Sequence, residues 1–260
     1  MRKKIYIDAG HNDRGWNTGA SGNGLKEQDI TFETAFFLSK ILSLDFDVRL
    51  SRPTKETNLG KDNSSSINAR WSGANEWGAD YFISIHVNAG GGTGSETYFY
   101  KDNAKRGQDS EVFAKTVNDI FAQAMGLKNR GVKLDTQAAV GSISVLRNTK
   151  MPAILIELSF IDSPLTNPDV TILRDRRKEM ANALSEGIFK HLGKGVPRPV
   201  ASAPVAPALQ TVPFNLMGRM AQIEGQITDG TTFVAARQLL EELGYKVDWV
   251  AEKRTIVVQK

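Results

Sequence analysis

The stretch that decides the fold is Lys4-Ile5-Tyr6-Ile7-Asp8-Ala9-Gly10-His11-Asn12, an apolar run that leads into a small-residue loop carrying a histidine. A second stretch repeats the pattern, since Tyr81-Phe82-Ile83-Ser84-Ile85 leads into His86-Val87-Asn88-Ala89. Short apolar runs of this kind are typical of buried strands. Open α/β sheets place their chemistry in the crevice outside the carboxyl ends of such strands. Because the chain has only three histidines, two of them at strand ends predict a metal site.

Strand and helix patterns alternate over the first ~190 residues, which predicts an α/β fold. The predicted strands are Lys4–Ala9, Asp47–Ser51, Tyr81–His86, Glu96–Tyr100, Ser144–Leu146 and Ala153–Glu157. The predicted helices are one capped by Asp29, one that begins at Ser66 or Ile67 and ends at Gly78, one from Ser110 to Gly126, and a long one from about Val170 to Leu192.

The composition of residues 194–212 predicts a linker, because this segment is rich in Pro and Ala and cannot bury a core. It separates residues 1–193 from residues 213–260, which we predict to be a small α+β domain. Within that domain we expect a strand at 231–234, a helix at 235–243 and a hairpin formed by 245–249 and 255–258.

Composition excludes several classes of protein. The chain has no cysteine, so disulfides, thiol catalysis and Cys-based metal sites are excluded. No apolar run approaches the ~20 residues of a membrane span, and the run after Met1 is too short for a secretory signal. We therefore expect a protein made in the cytoplasm, without membrane insertion. The net charge of +4 fits either an ordinary basic surface or attraction to a polyanion such as a cell wall, and no basic stripe indicates nucleic acid.

Two glutamates are placed to complete a site with the histidines. Two His and one Glu are a standard ligand set for catalytic zinc. His11 and His86 would supply the nitrogens, and Glu27 the carboxylate, although a charge before a helix is also a common dipole-complementing cap. Glu157 is the one carboxylate in the apolar run Ile154-Leu155-Ile156-Glu157-Leu158, and burying an unpaired carboxylate is costly. We expect it to act as the catalytic base of a metal-assisted hydrolase.

With these residues the chain resembles the zinc-dependent N-acetylmuramoyl-L-alanine amidases of the amidase-3 type, which cleave peptidoglycan. The matching segments, in the family's order, are Ile7-Asp8-Ala9-Gly10-His11, Lys26-Glu27-Gln28-Asp29, Ser51-Arg52, Ser84-Ile85-His86-Val87-Asn88-Ala89, Asn129-Arg130-Gly131-Val132 and Val145-Leu146 through Pro152-Ala153-Ile154-Leu155-Ile156-Glu157-Leu158. The chain departs from the family pattern at Asn12-Asp13-Arg14 and at Ser159, where the family commonly has glycine.

The resemblance implies a twisted, mostly parallel sheet flanked by helices over residues 1–193. It also implies that His11, Glu27 and His86 ligate Zn²⁺ and that Glu157 is the catalytic glutamate. The reaction implied is hydrolysis, by zinc-activated water, of the amide bond between N-acetylmuramic acid and L-alanine.

Three further residues have weaker indications. We predict that Arg70 binds a substrate carboxylate, with an ordinary helix-surface arginine as the alternative. Asn88 is predicted to bind the substrate or orient the site, and a loop-shaping role is the alternative. Arg130 is expected to position a loop beside the cleft.

Residues 213–260 are similar to the small module named after the N-terminal domain of copper amine oxidases, although they contain no copper ligands. We expect this module to bind the cell wall; a passive stalk or dimerisation module is the alternative. The sequence predicts no particular oligomeric state.

The resemblance leaves the biological role open between several candidates. The missing signal favours a phage endolysin that reaches the wall after release, and a sporulation enzyme acting at mother-cell lysis is the runner-up. Two further candidates are a non-catalytic wall-binding protein and a zinc amidohydrolase for small amides.

Overall fold

The computed structural model describes residues 2–102 and 104–195 in full and, beyond them, the backbone of five strands. The chain divides into two compact units, Met1–Val196 and Pro197–Lys260. Among the helices that the structure describes, none is long and apolar enough to cross a lipid bilayer.

The first unit contains eight strands and six α-helices among its described residues. The strands are β1 (Lys4–Ala9), β2 (Ser21–Gly22), β3 (Leu25–Lys26), β4 (Asp47–Leu50), β5 (Tyr81–Asn88), β6 (Ser95–Phe99), β7 (Asn129–Leu134) and β8 (Ala153–Phe160). The helices are α1 (Glu27–Leu42), α2 (Asn63–Trp77), α3 (Lys105–Met125), α4 (Ser144–Asn148), α5 (Pro168–Asp175) and α6 (Arg177–His191).

Six of the strands form one mostly parallel sheet in the order β4-β1-β5-β8-β6-β7. Every neighbouring pair is parallel except β6 and β8. Strands β2 and β3 form a small antiparallel pair outside it. The expected α/β class with a mostly parallel, helix-flanked sheet is confirmed.

Side-chain alternation gives the two faces of the sheet different characters. One face is covered by α1, α3 and α6, and it is mostly apolar, with Ile5, Ile83 and Ile154 from three neighbouring strands in its core. The other face is covered by α2 and α4 and has a smaller core around Phe82 and Leu155. Polar side chains can therefore enter the sheet on this second face.

Several predicted boundaries are wrong, for identifiable reasons. α1 begins at Glu27, so Asp29 lies inside its first turn and is not its cap. α2 begins at Asn63, because the side chain of Asp62 accepts from Ser65 N at 2.7 Å while Ser65 Oγ accepts from Asp62 N at 3.1 Å. This reciprocal capping box is independent of the apolar pattern that indicated Ser66. α3 begins at Lys105 and not at Ser110; the earlier start was missed because the first turn, Lys105–Gln108, carries no apolar side chain.

Two elements were assigned the wrong type or length. Residues 144–146 lie in α4, not in a strand. The prediction was wrong because a run of three residues is too short for its apolar pattern to distinguish a helix from a strand. The strand in this part of the sequence is β7, which the apolar pattern missed because it lies at the sheet edge and is polar. The predicted long last helix is two helices, α5 and α6, divided at Arg176, whose φ and ψ of −119° and 35° are not helical.

The second unit contains, among its described residues, the three-stranded antiparallel sheet of β9 (Gln210–Leu216), β10 (Arg219–Thr228) and β11 (Thr231–Val234), and the hairpin of β12 (Lys246–Val250) and β13 (Thr255–Gln259). The strand at 231–234 and the hairpin agree with expectation. β9 and β10 were not predicted, and β9 occupies residues 210–212 of the predicted linker. Residues 196–209 of that linker and the predicted helix at 235–243 lie outside the described residues.

Candidate active site

A cavity of about 720 Å³ lies where β5 and β8 end, and all six residues predicted from the sequence line it. These residues are His11, Glu27, Arg70, His86, Asn88 and Glu157. The cavity opens on the sheet face that α2 and α4 cover, because Tyr98, Val145 and Leu155 belong both to its wall and to the core of that face.

The loop after β1 brings His11 close to His86. Gly10 permits this approach, because a Cβ atom built there would lie 2.6 Å from the His86 ring. His11 itself has a φ of 65°, a left-handed conformation that is uncommon for any residue other than glycine. Such strain persists only where the surrounding structure holds it, and it is concentrated at functional sites.

Arg70 of α2 supplies that restraint. Its Nη1 donates to Asp8 Oδ1 at 2.7 Å and to the carbonyl of Ala9 at 2.6 Å, while its Nη2 donates to the carbonyl of His11 at 2.6 Å. The side chain is 3% exposed. Arg70 is therefore not a surface arginine, and its guanidinium is committed to the His11 loop and not to a substrate carboxylate, so both sequence-based interpretations of this residue require correction.

His11, Glu27 and His86 converge on one point of the cavity. Glu27 Oε1 lies 3.1 Å from His11 Nε2 and 3.1 Å from His86 Nδ1. The same oxygen accepts from Val87 N at 2.9 Å, and Oε2 accepts from Ala20 N at 2.9 Å. Burial alone would raise the pKa of Glu27, but the hydrogen bonds and charges of the two histidines outweigh it and hold that pKa well below its usual range. The carboxylate is therefore ionised, as a metal ligand must be.

This arrangement fits a zinc ion. The ligand atoms of the three residues lie within 4.8 Å of one another, and two His with one Glu leave a fourth position free for water or substrate. Burial lowers the pKa of His86, which favours the neutral imidazole that a metal requires. Glu27 is also fixed by two backbone amides, the kind of outer contact that orients a ligating carboxylate.

Glu157 lies on the strand next to His86. The two residues are paired in register across β5 and β8, and Glu157 is the one residue of its eight-residue strand that is not fully buried. Its Oε2 is shielded from solvent and has no hydrogen-bond partner among the described residues. Burial first, and then the negative charges of Glu27 and Glu96, raise the pKa of Glu157 well above its ordinary value.

Glu96 is a second buried carboxylate that sequence reasoning missed. It pairs in register with Glu157 across β6 and β8, so His86, Glu157 and Glu96 form a row across three strands. Its carboxylate accepts hydrogen bonds from Arg130 Nε at 2.5 Å, Lys133 Nζ at 2.6 Å and Tyr98 OH at 2.7 Å. The signal was present, because Glu96 is the single carboxylate in a strand that is buried at all five positions.

Asn88 connects this carboxylate to the loop after β5. Its Nδ2 donates to Glu96 Oε1 at 2.9 Å, and its Oδ1 accepts from Ala89 N at 2.9 Å. These contacts correspond to the orienting and loop-shaping roles considered for it. Arg130 lies in β7 and contacts Glu96, and its Nη1 also donates to the carbonyl of Thr93 at 3.4 Å, in the loop before β6, a contact of the kind expected for it.

Residues 5–190 match the family model described as N-acetylmuramoyl-L-alanine amidase. The chain belongs to this family. Residues 217–260, in the second unit, match a separate model described as the copper amine oxidase N-terminal domain.

Curated relatives of this amidase include a sporulation-specific N-acetylmuramoyl-L-alanine amidase of Bacillus subtilis, 40% identical over 62% of this chain and 57% of its own length. The N-acetylmuramoyl-L-alanine amidase CwlM of Bacillus licheniformis is 35% identical over 80% of this chain and 73% of its own length. The endolysin of Bacillus phage SPP1 is 34% identical over 72% of this chain and 64% of the phage protein. The chain thus spans between 57% and 73% of the length of these relatives.

A solved structure confirms that the likeness extends to the fold. The catalytic domain of CwlV, an N-acetylmuramoyl-L-alanine amidase from Bacillus (Paenibacillus) polymyxa, aligns with a TM-score of 0.61 at 29% identity. The alignment covers 74% of this amidase and 99% of that domain. The amidase fold therefore lies within the first unit.

Proposed function

We propose that this amidase is a zinc hydrolase that cleaves the amide bond between N-acetylmuramic acid and L-alanine in peptidoglycan. The observation that carries the proposal is the juxtaposition of a His₂Glu ligand set with the unpartnered carboxyl oxygen of Glu157 on the adjacent strand. His11, Glu27 and His86 would hold the metal. Peptidoglycan as the substrate is supported by the family to which residues 5–190 belong.

In this proposal Glu157 moves the proton. A bound zinc ion lowers the pKa of water and polarises an amide carbonyl. The carboxylate of Glu157 takes a proton from the attacking water and delivers it to the nitrogen of the leaving L-alanine. Its raised pKa suits this role, because a general base works best when its pKa lies near the working pH.

The surroundings of the site support this assignment. Arg70 and Gly10 hold His11 against His86, so the ligand geometry is set before substrate binds. Asn88, at the cavity wall, is proposed to contact the substrate in addition to holding Glu96.

The test is to incubate the purified protein with peptidoglycan sacculi, with and without a chelator, and to identify the products by mass spectrometry. We expect stem peptides with a free L-alanine amine, lost on chelation and restored by Zn²⁺. Intact sacculi with tight binding would instead indicate a non-catalytic wall-binding protein, and cleavage of small amides alone would indicate a different amidohydrolase.

We further propose that the protein acts as an endolysin, released onto the wall at lysis, a role supported by its likeness to the endolysin of phage SPP1. A sporulation autolysin is the second candidate, favoured by the 40% identity to the sporulation-specific amidase. Transcript levels after prophage induction and through sporulation separate the two roles, since each predicts expression in only one of these conditions.

A further inference from the structure

Two cations beside the active-site row lie on the same face of β7 because of a backbone irregularity. Arg130 and Lys133 are three residues apart, and strict alternation would point them to opposite faces. The pairing of β6 with β7 shifts between Ser95–Asn129 and Thr97–Val132, so β7 holds one extra residue there. Gly131, inside this bulge, has a φ of 80°. An extra residue with a left-handed glycine reverses the alternation, as in a β-bulge.

Both cations consequently contact one oxygen, Glu96 Oε2. Burial would raise the pKa of Glu96, but Lys133, Arg130 and Tyr98 outweigh it and lower that pKa, so the group carries one negative charge against two positive charges. The side chains of Arg130 and Lys133 remain 29% and 27% exposed and line the cavity. Among the described residues, the hydrogen bonds of the Arg130 guanidinium are made by Nε and Nη1, which leaves Nη2 free. The cluster thus presents a net positive charge and a free donor to the cavity.

The position of this cluster relative to Glu157 fits a particular group of the substrate. Neighbouring strands lie ~4.8 Å apart. Because the Arg130 guanidinium and the Lys133 ammonium contact Glu96 on β6, they lie about one strand spacing from Glu157 on β8. In a stem peptide, the second residue is a D-glutamate linked through its side chain, so its α-carboxyl group lies roughly two residues, or ~7 Å, from the scissile amide.

We propose that Arg130 and Lys133 form the subsite for this α-carboxylate, and that they make the enzyme prefer stem peptides in which it is free over those in which it is amidated. The inference rests on the proposed amidase function. A guanidinium suits the task, because it forks onto carboxylates and stays charged at all relevant pH values. An amide at the same place cannot neutralise the cluster, so amidation removes the charge-assisted contact.

The experiment compares two N-acetylmuramoyl tetrapeptides that differ only in the α-carboxylate or α-carboxamide of the second residue. For the full-length, zinc-loaded protein we expect a preference of about 10-fold or more in kcat/KM for the acid. Arg130→Gln and Lys133→Gln should each reduce this preference, because KM should rise more for the acid than for the amide. Arg130→Lys should retain part of the preference. Lys150→Gln, at an exposed position outside the cavity, is the matched control.

The outcomes separate this inference from the proposed function. An equal loss on both substrates, or no preference in the unaltered protein, overturns the carboxylate subsite. Failure of the unaltered protein to cleave either substrate overturns the proposed reaction instead. Thermal melting identifies any variant that fails to fold. If Arg130→Gln does not fold, Lys133→Gln, which removes a single hydrogen bond to Glu96, still tests whether the cluster sets the preference for the acid. Calorimetric binding of the two product peptides to metal-free protein gives a readout independent of turnover, with tighter binding of the acid expected.

Discussion

Two glutamates beside the proposed zinc site have pKa values that their surroundings shift in opposite directions. Glu27 accepts from two histidines and two backbone amides, which lower its pKa despite burial. Glu157 has an unpartnered oxygen and negative neighbours, and burial with these charges raises its pKa. Pairs of carboxyl groups whose environments separate their pKa values identify the acid–base assignments of a site. Here the separation supports the proposal that Glu27 binds the metal and that Glu157 transfers the proton.

Glu157→Gln should preserve zinc binding and lower kcat by ~10²–10⁴-fold, because the amide keeps the shape but cannot accept the proton. Product release from sacculi measures turnover, and metal content is measured on the same sample. Glu157→Asp is a useful companion, since it keeps the charge but shortens the side chain. Full activity in the Gln variant would remove Glu157 as the base.

Arg70→Met should destabilise the protein by ~3–5 kcal/mol, because it leaves the carboxylate of Asp8 buried without its cation. It should also release the His11 carbonyl and weaken zinc binding. Denaturant unfolding and metal titration check the two effects. Arg14→Met is the control, since the Arg14 side chain is 75% exposed and should contribute less than about 1 kcal/mol. Equal effects of the two substitutions would contradict the role of Arg70.

The same ion pair predicts how stability depends on pH. Burial raises the pKa of Asp8, but Arg70 and the hydroxyls of Ser51 and Ser84 outweigh it, so the pKa is lower in the folded state than in the unfolded state. The unfolded chain therefore binds more protons, and the contribution of Asp8 is complete above the unfolded pKa of about 4 and is lost as the pH falls through the folded pKa.

Asp8→Asn should consequently weaken the dependence of the free energy of unfolding on pH at acidic pH. The measurement is the free energy of unfolding of metal-free protein from about pH 5 down to about pH 2, where the slope reports the difference in bound protons. We expect the Asn variant to have a lower free energy of unfolding than the unaltered protein at about pH 5, and a smaller decrease in that free energy as the pH falls. A slope identical to that of the unaltered protein would show that Asp8 does not titrate differently on folding.

At the scale of elements, the site depends on strands that present their charged and titratable groups on one face only. His86, Glu157 and Glu96 come from three adjacent strands in register, and Asp8 lies on β1 beside Ser84 of β5. The opposite face of these strands is mostly apolar and is covered by three helices. A register slip of one residue would bring apolar side chains to the cavity and polar ones to the core, so burial of the apolar face keeps this row of three residues at the cavity.

The bulge in β7 is the element-scale feature that is simplest to test. Gly131→Ala should cost about 1 kcal/mol, because a Cβ meets no atom within 4 Å but the residue must keep its left-handed φ of 80°. Gly131→Asn is the control at the same position, since Asn tolerates that conformation better, and it should cost less. Thermal unfolding measures both. If Ala and Asn are equally well tolerated, the backbone conformation is not the constraint.

At the scale of the whole molecule, the chain combines an amidase unit with a second unit of different descent. The first unit corresponds to nearly the whole of a solved catalytic domain, while residues 217–260 match another family. We expect residues 1–196 alone to cleave soluble wall fragments as the full chain does, but to bind intact sacculi several-fold less well. Sedimentation with sacculi, alongside kcat/KM on fragments, checks both parts. Equal sedimentation of the two forms would exclude wall binding by the second unit.

Much of the fold follows from local pattern. The buried strands β1, β5 and β8 and the core helices were predictable because their apolar residues recur with the period of the element. β7 was missed and Ser144–Leu146 misassigned, because an edge strand is partly exposed and a short apolar run fits either element. The division between α5 and α6 was missed because the charged run Arg174–Glu179 around the break contains no Gly or Pro to indicate a helix end.

The sequence by itself determined the α/β class, the polar residues at the strand ends and the family of the chain, because each of these depends on short segments of residues that are contiguous in the sequence. Only the tertiary structure decided that Arg70 restrains the His11 loop, that Glu96 faces Glu157, and that Arg130 and Lys133 share its carboxylate. These contacts join residues 34 to 61 positions apart. They depend on strand register and on a single-residue bulge, and no local pattern specifies either of these.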